Sequence, residues 1–319
     1  MREVSILSVM IAFLITAVTA PFVIPFLRRL KCGQTVREDG PSTHLKKSGT
    51  PTMGGVLILL SVVVTTLLFL EAYPKTAPIL FLTLGFGIVG LLDDYIKVVC
   101  KSSDGLSPLQ KMLGQLAVTG IFAYYLMYYT DVSFAMKVPF MAGKYIDFGV
   151  WNLPLLFFIV LGTVNGTNFT DGLDGLAGSV TEIVAVFFTV VAVGTESGIE
   201  PITCAVAGAL MGFLLFNVHP ATVFMGDTGS LALGGFVVAS AYMLQMPLYI
   251  AIVGFVYLVE VASVIVQVAY YKVSGGRRIL KMAPLHHHFE LCGWSETRIV
   301  AVFSILTAIM CLIGLFAMT

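Results

Sequence analysis

Charged residues are scarce in this chain, and their scarcity excludes an ordinary soluble fold. Of the 319 residues, 11% are charged and 58% are hydrophobic. A soluble globular domain carries about 25% charged residues. Lysine plus arginine and aspartate plus glutamate number 18 each, so the formal net charge is zero. The composition predicts an integral membrane protein, and no nucleic-acid partner is expected.

Cysteine chemistry and repeated modules are also missing. The five cysteines are odd in number and show no CxxC spacing, so neither a disulfide framework nor a zinc site follows from them. The sequence shows no separate soluble domain, no convincing internal repeat and no low-complexity tract. Residues 1–319 are therefore expected to form a single membrane domain.

Long apolar runs take the place of these features. A membrane-spanning helix needs about 20 apolar residues, and ten stretches approach that length. The ten lie near residues 4–27, 54–71, 77–98, 111–130, 153–170, 176–194, 201–218, 229–245, 248–271 and 297–318. The first is too long for a signal peptide and is expected to be retained. Between the fourth and fifth, "VSFAMKVPFMAGKYIDFG" alternates enough to predict a small β-hairpin.

Lysine and arginine give the expected orientation. In the connecting loops, 14 of the 18 basic residues fall on one side of the ten spans. The positive-inside rule places that side in the cytoplasm and both termini outside. The hairpin is then periplasmic, and the candidate chemical groups fall at the cytoplasmic ends of the spans. The predicted fold is an all-α polytopic membrane protein with its active site on the cytoplasmic face.

Two adjacent carboxylates close the third span. The stretch "GLLDDYIKV" places Asp93 beside Asp94, with Lys97 one helical turn beyond Asp93. Adjacent carboxylates repel each other, so the pair needs a cation nearby. A solvated helix end with an i,i+4 ion pair and a site for a hard metal ion are both open.

Amide and acid side chains recur every three residues in "NGTNFTDGLDGLAG". On a helical turn, Asn165, Asn168, Asp171 and Asp174 would project to similar sides. Oxygen ligands of this kind suit Mg²⁺. An Asx-rich turn capping two helices is the alternative. The spacing does not fit an EF-hand.

Glycines flank a further aspartate in "VFMGDTGSLALGG". Asp227 could be a simple helix cap, or the segment could cradle a phosphate at a helix start. It lacks the arrangement of a P-loop. Upstream, "HLKKSGTPTMGG" carries Lys46 and Lys47, which could contact lipid headgroups or hold phosphates.

Three consecutive histidines lie in "MAPLHHHFELCGW". Successive histidines cannot all point one way, so one or two of them could bind phosphate or relay protons. A polar loop without chemistry is the alternative, and the spacing disfavours zinc.

These motifs converge on one membrane face. Carboxylates, lysines and histidines beside a divalent cation are the groups that phosphoryl transfer uses. A membrane location predicts one lipid substrate, and a cytoplasmic face predicts a second, soluble and activated one such as a nucleotide sugar. A transporter would place its carboxylates near mid-membrane between paired repeats, and a non-enzymatic scaffold leaves the aspartates unexplained.

The motifs also resemble a known family in their order along the chain. "PTMGG", "GLLDDYIKV", "NGTNFTDGLDGLAG", "FMGDTGSLALGG" and "APLHHHFE" are similar to those of the bacterial phospho-N-acetylmuramoyl-pentapeptide transferases, within the polyprenyl-phosphate N-acetylhexosamine-1-phosphate transferase superfamily. The resemblance implies transfer from UDP-N-acetylmuramoyl-pentapeptide to undecaprenyl phosphate, giving lipid I and UMP. It also implies Mg²⁺, a homodimer in the bacterial inner membrane, and a broken ninth span, here 248–271 with Glu260.

Roles for individual residues follow from the resemblance. Asp227 should ligate Mg²⁺, with Asp93 and Asp94 beside the metal and the lipid phosphate, Asp94 as a candidate base, and His286 as a further catalytic candidate. Phosphate contacts are implied for Lys47, Thr52, Lys97 and Lys111. A uridine pocket is implied at Gly172, Leu173, Asp174 and Phe224. Further substrate contacts are implied at Asn165, Asn168, Asp171, Gly226, His287 and His288.

Two questions stay open at this point. A sister enzyme acting on UDP-N-acetylglucosamine would share the metal site and differ at the sugar pocket. The lipid phosphate could attack directly, or an aspartate could first form a phospho-enzyme intermediate. Direct attack is favoured, because the phosphate is already anionic and needs mainly positioning.

Overall fold

The computed structural model describes residues 2–30, 49–99 and 105–319, and these residues are predominantly helical. Its α-helices are α1 (Arg2–Arg29), α2 (Gly55–Phe69), α3 (Ala77–Val99), α4 (Pro108–Tyr129), α5 (Asn152–Thr170), α6 (Leu176–Thr195), α7 (Glu200–Asn217), α8 (Gly226–Met243), α9 (Ile250–Val253), α10 (Phe255–Val273), α11 (Leu285–Leu291) and α12 (Glu296–Phe316). The predicted all-α class is confirmed.

Seven of these helices are long and apolar enough to cross a membrane: α1, α3, α5, α6, α7, α10 and α12. Helix α2 is apolar but has 15 residues, and α4 and α8 coincide with two more of the predicted spans. The chain is therefore a multi-pass membrane protein. The count of ten spans and the outside position of the termini stay predictions.

The predicted β-hairpin is confirmed between α4 and α5. Strand β1 (Met136–Lys137) pairs antiparallel with β2 (Tyr145–Ile146), with Met136 opposite Ile146. The hairpin is bonded to the rest of the protein, because the amide of Lys137 donates to Gln245 O at 2.7 Å and that of Phe140 donates to Ala317 O at 2.9 Å. It therefore caps the ends of α8 and α12 that lie away from the aspartates.

The ninth predicted span is interrupted. Helix α9 ends at Val253, Gly254 follows, and α10 resumes at Phe255. Glycine is a weak helix former, and Gly254 leaves the α region at φ −93°, ψ 20°. The interruption that the family resemblance implied for this span is therefore present.

Helix α8 lies at the centre of the molecule, with every residue from Thr228 to Met243 buried. Helices α2, α3 and α5 pack around it. Glycines permit unusually close approach at its start, since a Cβ on Gly90 would overlap the carbonyl oxygen of Asp227 and one on Gly55 would overlap the amide of Gly229. The ends of α2 and α3 are thereby held against the first turn of α8, where Asp227 lies.

Candidate active site

Asp94 connects the end of α3 to the start of α8. Its Oδ1 accepts a hydrogen bond from the amide of Asp227 at 3.2 Å, and its Oδ2 accepts from the amide and hydroxyl of Thr228 at 2.9 and 2.6 Å. A carboxylate in this position satisfies free amides of the first turn and interacts favourably with the helix dipole. Asp94 therefore serves as a cap of α8.

Asp93 and Asp227 share two lysines. Lys97 Nζ lies 2.5 Å from Asp93 Oδ2 and 3.0 Å from Asp227 Oδ2, which confirms the i,i+4 geometry expected along α3. Lys111 Nζ, from α4, lies 2.7 Å from Asp227 Oδ2 and 3.9 Å from Asp93 Oδ2. The other oxygen of Asp93 accepts from the amide of Leu106 at 2.8 Å. Two ammonium groups therefore compensate the charge of this pair.

The three aspartates form what we call the first cluster: Asp93, Asp94 and Asp227. One carboxylate oxygen from each lies within 4.8 Å of the others. Carboxylate oxygens are the ligands that Mg²⁺ and other hard cations prefer. The family resemblance implied Asp227 as the metal ligand with Asp93 and Asp94 beside it, and the three carboxylates do lie together in a donor set that fits a divalent cation.

Asn168 is hydrogen-bonded to the first cluster, whereas Asn165 is bonded to a neighbouring helix. Asn168 Nδ2 donates to Asp227 Oδ1 and to Ser230 Oγ, both at 2.9 Å. Asn165 instead forms a two-bond amide pair with Gln115 of α4, at 2.9 and 3.3 Å. Both asparagines therefore contact α4, but Asn168 alone of the two is bonded to Asp227 and Ser230 of α8.

Asp171 follows the last residue of α5, outside the membrane-spanning segments. Burial raises the pKa of its carboxyl well above the ordinary value, and the charges of Asp227 and Asp94 raise it further. A hydrogen bond from the amide of Gly226 opposes this rise. The negative potential of the first cluster therefore extends to Asp171.

Asp174 lies in what we call the second cluster, with His219 and Glu296. Asp174 Oδ2 accepts from the amide of Ala221 at 3.0 Å and lies 3.1 Å from His219 Nδ1. Glu296, in the first turn of α12, accepts from the amide of Asp174 at 2.6 Å, and its other oxygen lies 3.3 Å from His219 Nδ1. The loop 171–175 is thus bonded to α12 and to the segment after α7.

His219 and Glu296 were not assigned a role from the sequence. His219 is a polar residue at the end of a predicted span, and a serine followed by a glutamate, as at Ser295–Glu296, is typical of a helix start. Ser295 does cap α12, accepting from the amide of Arg298. Neither signal shows that Glu296 meets Asp174, 122 residues earlier in the chain.

Backbone pairing brings the predicted Thr52, Phe224 and Gly226 to the first cluster. The amide of Gly54 donates to Phe224 O, and the amide of Phe224 donates to Pro51 O, both at 2.8 Å. Gly226 has φ +73°, and a Cβ there would lie 2.6 Å from Asp94 Oδ2 and 2.8 Å from Thr52 Oγ1. The half-buried ring of Phe224 therefore lies on the segment that leads into the aspartates.

The three histidines point in different directions, as the sequence predicted. His286 is fully buried, with Nδ1 3.2 Å from Glu260 Oε2. His287 Nδ1 pairs with Glu290 Oε2 at 2.7 Å, and His288 Nδ1 accepts from the amide of Lys281 at 3.1 Å. The ring of His286 packs on Gly172, since a Cβ on Gly172 would overlap its Nε2. Predicted Leu173 is buried in the same loop.

Two further features complete the site. Lys47, predicted to contact phosphate, lies outside the described residues. An apolar groove with a volume of about 310 Å³ lies between α2 and α3, and Thr228, next to Asp227, is one of its lining residues. Its walls are Val56, Leu59, Leu60, Val63, Leu84, Gly87, Ile88 and Leu91. Apolar surface therefore reaches the edge of the first cluster.

A family model defines the class of protein to which this site belongs. Residues 76–245 match glycosyl transferase family 4, a range that contains all three residues of the first cluster. Residues 47–59 match signature 1 of the phospho-N-acetylmuramoyl-pentapeptide-transferases.

Curated relatives define the family more narrowly. The chain is 48% identical over 311 residues to the phospho-N-acetylmuramoyl-pentapeptide-transferase of Acetivibrio thermocellus, covering 97% of this chain and 93% of the relative. It is 47% identical to that of Clostridium kluyveri, covering 98% and 99%, and 45% identical to that of Clostridium perfringens, covering 97% of each. The chain belongs to the phospho-N-acetylmuramoyl-pentapeptide-transferase family, which confirms the resemblance seen in the motifs.

Proposed function

We propose that this protein transfers phospho-N-acetylmuramoyl-pentapeptide from UDP-N-acetylmuramoyl-pentapeptide to undecaprenyl phosphate, producing lipid I and UMP for peptidoglycan synthesis. The observation that carries the proposal is the first cluster, where three carboxylates and two lysines meet at the start of α8. Family membership supports the choice of donor and acceptor. The active site then faces the cytoplasm of a bacterium, in its inner membrane, and the enzyme acts as a homodimer.

Asp93, Asp94 and Asp227 would hold Mg²⁺, since their oxygens already lie close together. A bound cation would neutralise the negative charge of the donor's diphosphate. Lys97 and Lys111 hold two positive charges at the same place. Because an ammonium group on a flexible stem can change partner, we infer that both lysines turn toward the donor phosphates when the donor enters.

The acceptor phosphate attacks directly in this proposal. Both oxygens of Asp94 already accept hydrogen bonds from the amides and the hydroxyl of the first turn of α8, so in this proposal Asp94 holds that turn in place. Asp93 Oδ2 contacts Lys97, Lys111 and Asp227 and accepts no backbone hydrogen bond from the described residues, so in this proposal Asp93 takes the last proton of the acceptor phosphate. This choice departs from the base that the family resemblance favoured.

The donor's nucleotide lies on the loop 171–175 and Phe224 in this proposal. The loop is bonded firmly by the second cluster, which suits a site that selects one nucleotide. Phe224 can stack on the uracil ring. The apolar groove between α2 and α3 has Thr228 in its lining, which supports a lipid acceptor whose phosphate reaches the first cluster.

The test is release of UMP by the purified protein from UDP-N-acetylmuramoyl-pentapeptide and undecaprenyl phosphate, with and without Mg²⁺. We expect release that requires both substrates and the metal. Release from UDP-N-acetylglucosamine alone would reject the donor assignment. A burst of UMP equal to the enzyme concentration, without acceptor, would show a phospho-enzyme intermediate and reject direct attack.

A further inference from the structure

A fully buried acid–histidine pair lies between the interrupted span and the loop 171–175. Glu260 of α10 and His286 of α11 are both 0% exposed. Glu260 Oε2 accepts from the amide of Leu285 at 2.9 Å and lies 3.2 Å from His286 Nδ1. Burying a carboxylate in a membrane protein costs free energy that packing alone does not require. The pair therefore calls for an explanation beyond the fold.

The other nitrogen of His286 is unusual as well. Nε2 is buried and has no hydrogen-bond partner among the described residues. It packs against Gly172, where a Cβ would overlap it. The imidazole thus fills the volume that a side chain at position 172 would take, directly beneath the loop between Asp171 and Leu173.

The hydrogen of the imidazole can be assigned from its neighbours. Glu260 Oε2 accepts the N–H of Leu285, which identifies this oxygen as a hydrogen-bond acceptor. A hydrogen bond at 3.2 Å then requires the hydrogen on Nδ1 of His286. Carboxylates commonly fix both the tautomer and the ring orientation of a histidine in this way. Nε2 is left unprotonated and directed at Gly172.

We propose that Glu260 is a positioning residue for donor binding. It holds His286 in one orientation and one tautomer, and the ring in turn fixes the loop 171–175. Glu260 contacts no reacting atom and acts through His286. The role assigned to the loop rests on the proposed function, whereas the tautomer does not.

The test compares Glu260→Ala and Glu260→Gln with Glu182→Gln. Glu182 lies on α6, and its Oε2 is buried without a partner among the described residues, so it controls for loss of a buried acid. For Glu260→Ala we expect KM for the donor to rise about tenfold, the effect of losing a hydrogen bond to a charged group. The turnover number and KM for the acceptor should change little. Glu260→Gln keeps an acceptor oxygen and should recover part of the loss.

Two readouts separate positioning from general damage. Nitrogen spectra of ¹⁵N-histidine-labelled protein should show Nδ1–H at His286 in the unmodified chain and an altered signal in Glu260→Ala. Gly172→Ala should raise the donor KM less in the Glu260→Ala background, because a ring without Glu260 can rotate away from the added methyl.

Several outcomes would overturn the proposal. One is an Nε2–H tautomer at His286 in the unmodified protein, which decides the matter even if Glu260→Ala does not fold. Another is a folded Glu260→Ala variant with an unchanged donor KM and an unchanged histidine signal. Absence of UMP release from the unmodified enzyme would instead remove the proposed function, while the tautomer would still be measured.

Discussion

The two clusters differ in what balances their negative charge. In each, three ligand atoms lie within 4.8 Å of one another. In the first cluster, Asp93 and Asp227 are paired with two lysine ammonium groups, 2.7 and 3.0 Å from Asp227 Oδ2, whereas Asp94 is bonded to amides of α8. Between described residues of the second cluster, the contacts include backbone amides and one imidazole, as when the amide of Ala221 donates to Asp174 at 3.0 Å.

Because of this difference, the first cluster can exchange its partners for substrate groups, whereas the second cluster keeps the backbone around it in one conformation. Ammonium groups on long stems are attracted by charge and carry little directional demand. Substrate phosphates and a metal ion can therefore replace those contacts. Backbone amides cannot leave Asp174 without moving the chain, so the second cluster fixes the loop 171–175. The first cluster is suited to chemistry and the second to recognition.

The strongest test of this comparison is Asp227→Ala in the first cluster. Asp227 contacts both lysines and Asn168, so its loss disperses the charge that the site organises. We expect turnover to fall by about a thousandfold or more, since several kcal/mol of charge stabilisation are lost. UMP release measures this.

Folding should survive the same change, because Asp227 lies at a helix end. Gel filtration and thermal unfolding of the variant are the controls. A well-folded Asp227→Ala enzyme with near-normal turnover would remove Asp227 from the mechanism.

Local contacts explain why the first cluster could be predicted. Asp93 and Lys97 are one turn apart on one helix, so their pairing needs no knowledge of the fold. Asp94 and Asp227 were joined to them through the chemistry of a shared metal and through the family resemblance. The short β-hairpin was likewise visible, because its alternation is local.

Long-range packing explains what the sequence could not predict. Asn165 and Asn168 recur every three residues, but that spacing rotates the second side chain by about 60° around the helix. Asn165 therefore pairs with Gln115 of α4, whereas Asn168 reaches Asp227 of α8 and Lys111 of α4. Glu296 and Glu260 are single acids in apolar surroundings, and their partners depend on how distant helices pack.

Lys111→Met tests whether the first cluster depends on its cations. Lys111 Nζ lies 2.7 Å from Asp227 Oδ2 and 3.4 Å from Asn168 Oδ1. Methionine keeps most of the stem and removes the charge. We expect turnover to fall by about a hundredfold, the usual effect of removing one charge-stabilising donor.

Lys144→Met in the hairpin is the matched control and should leave UMP release unchanged, because Lys144 is exposed near the opposite end of the molecule. Equal losses in the two variants would show that total charge, rather than this contact, matters.

Glu296→Ala tests the role of the second cluster in donor binding. Losing the acceptor for the Asp174 amide should loosen the loop 171–175 and raise the donor KM about tenfold. The turnover number should stay near that of the unmodified enzyme. Steady-state kinetics with varied donor concentration separate the two parameters.

Glu296→Gln retains an oxygen that can accept from the Asp174 amide, so its donor KM should lie between those of the unmodified enzyme and Glu296→Ala. Glu71→Ala, at an exposed acid between α2 and α3, is the control. A fall in turnover without any rise in KM would place Glu296 with the chemistry instead.

The smallest expected effect concerns Asp171, which lies between the clusters. Its pKa is raised mainly by burial, so the ionised form destabilises the folded state. The stabilising, protonated form is present below the ordinary carboxyl pKa, and its contribution is lost as pH rises through the raised pKa. Asp171→Asn removes the carboxyl group and therefore avoids the loss of stability that its ionisation causes. Its melting temperature should exceed that of the unmodified protein by a few degrees near neutral pH, and the gap should close on acidification.

Asp147 supplies a control of opposite sign. A hydrogen bond from the amide of Gly149 lowers the pKa of this exposed carboxyl, so its ionised form stabilises the fold above the ordinary pKa and that contribution is lost as pH falls. Asp147→Asn should therefore lower the melting temperature slightly near neutral pH. Thermal unfolding in detergent across this pH range measures both variants. If the two substitutions shift the melting temperature in the same direction, burial beside the first cluster does not distinguish Asp171 from an ordinary surface carboxylate.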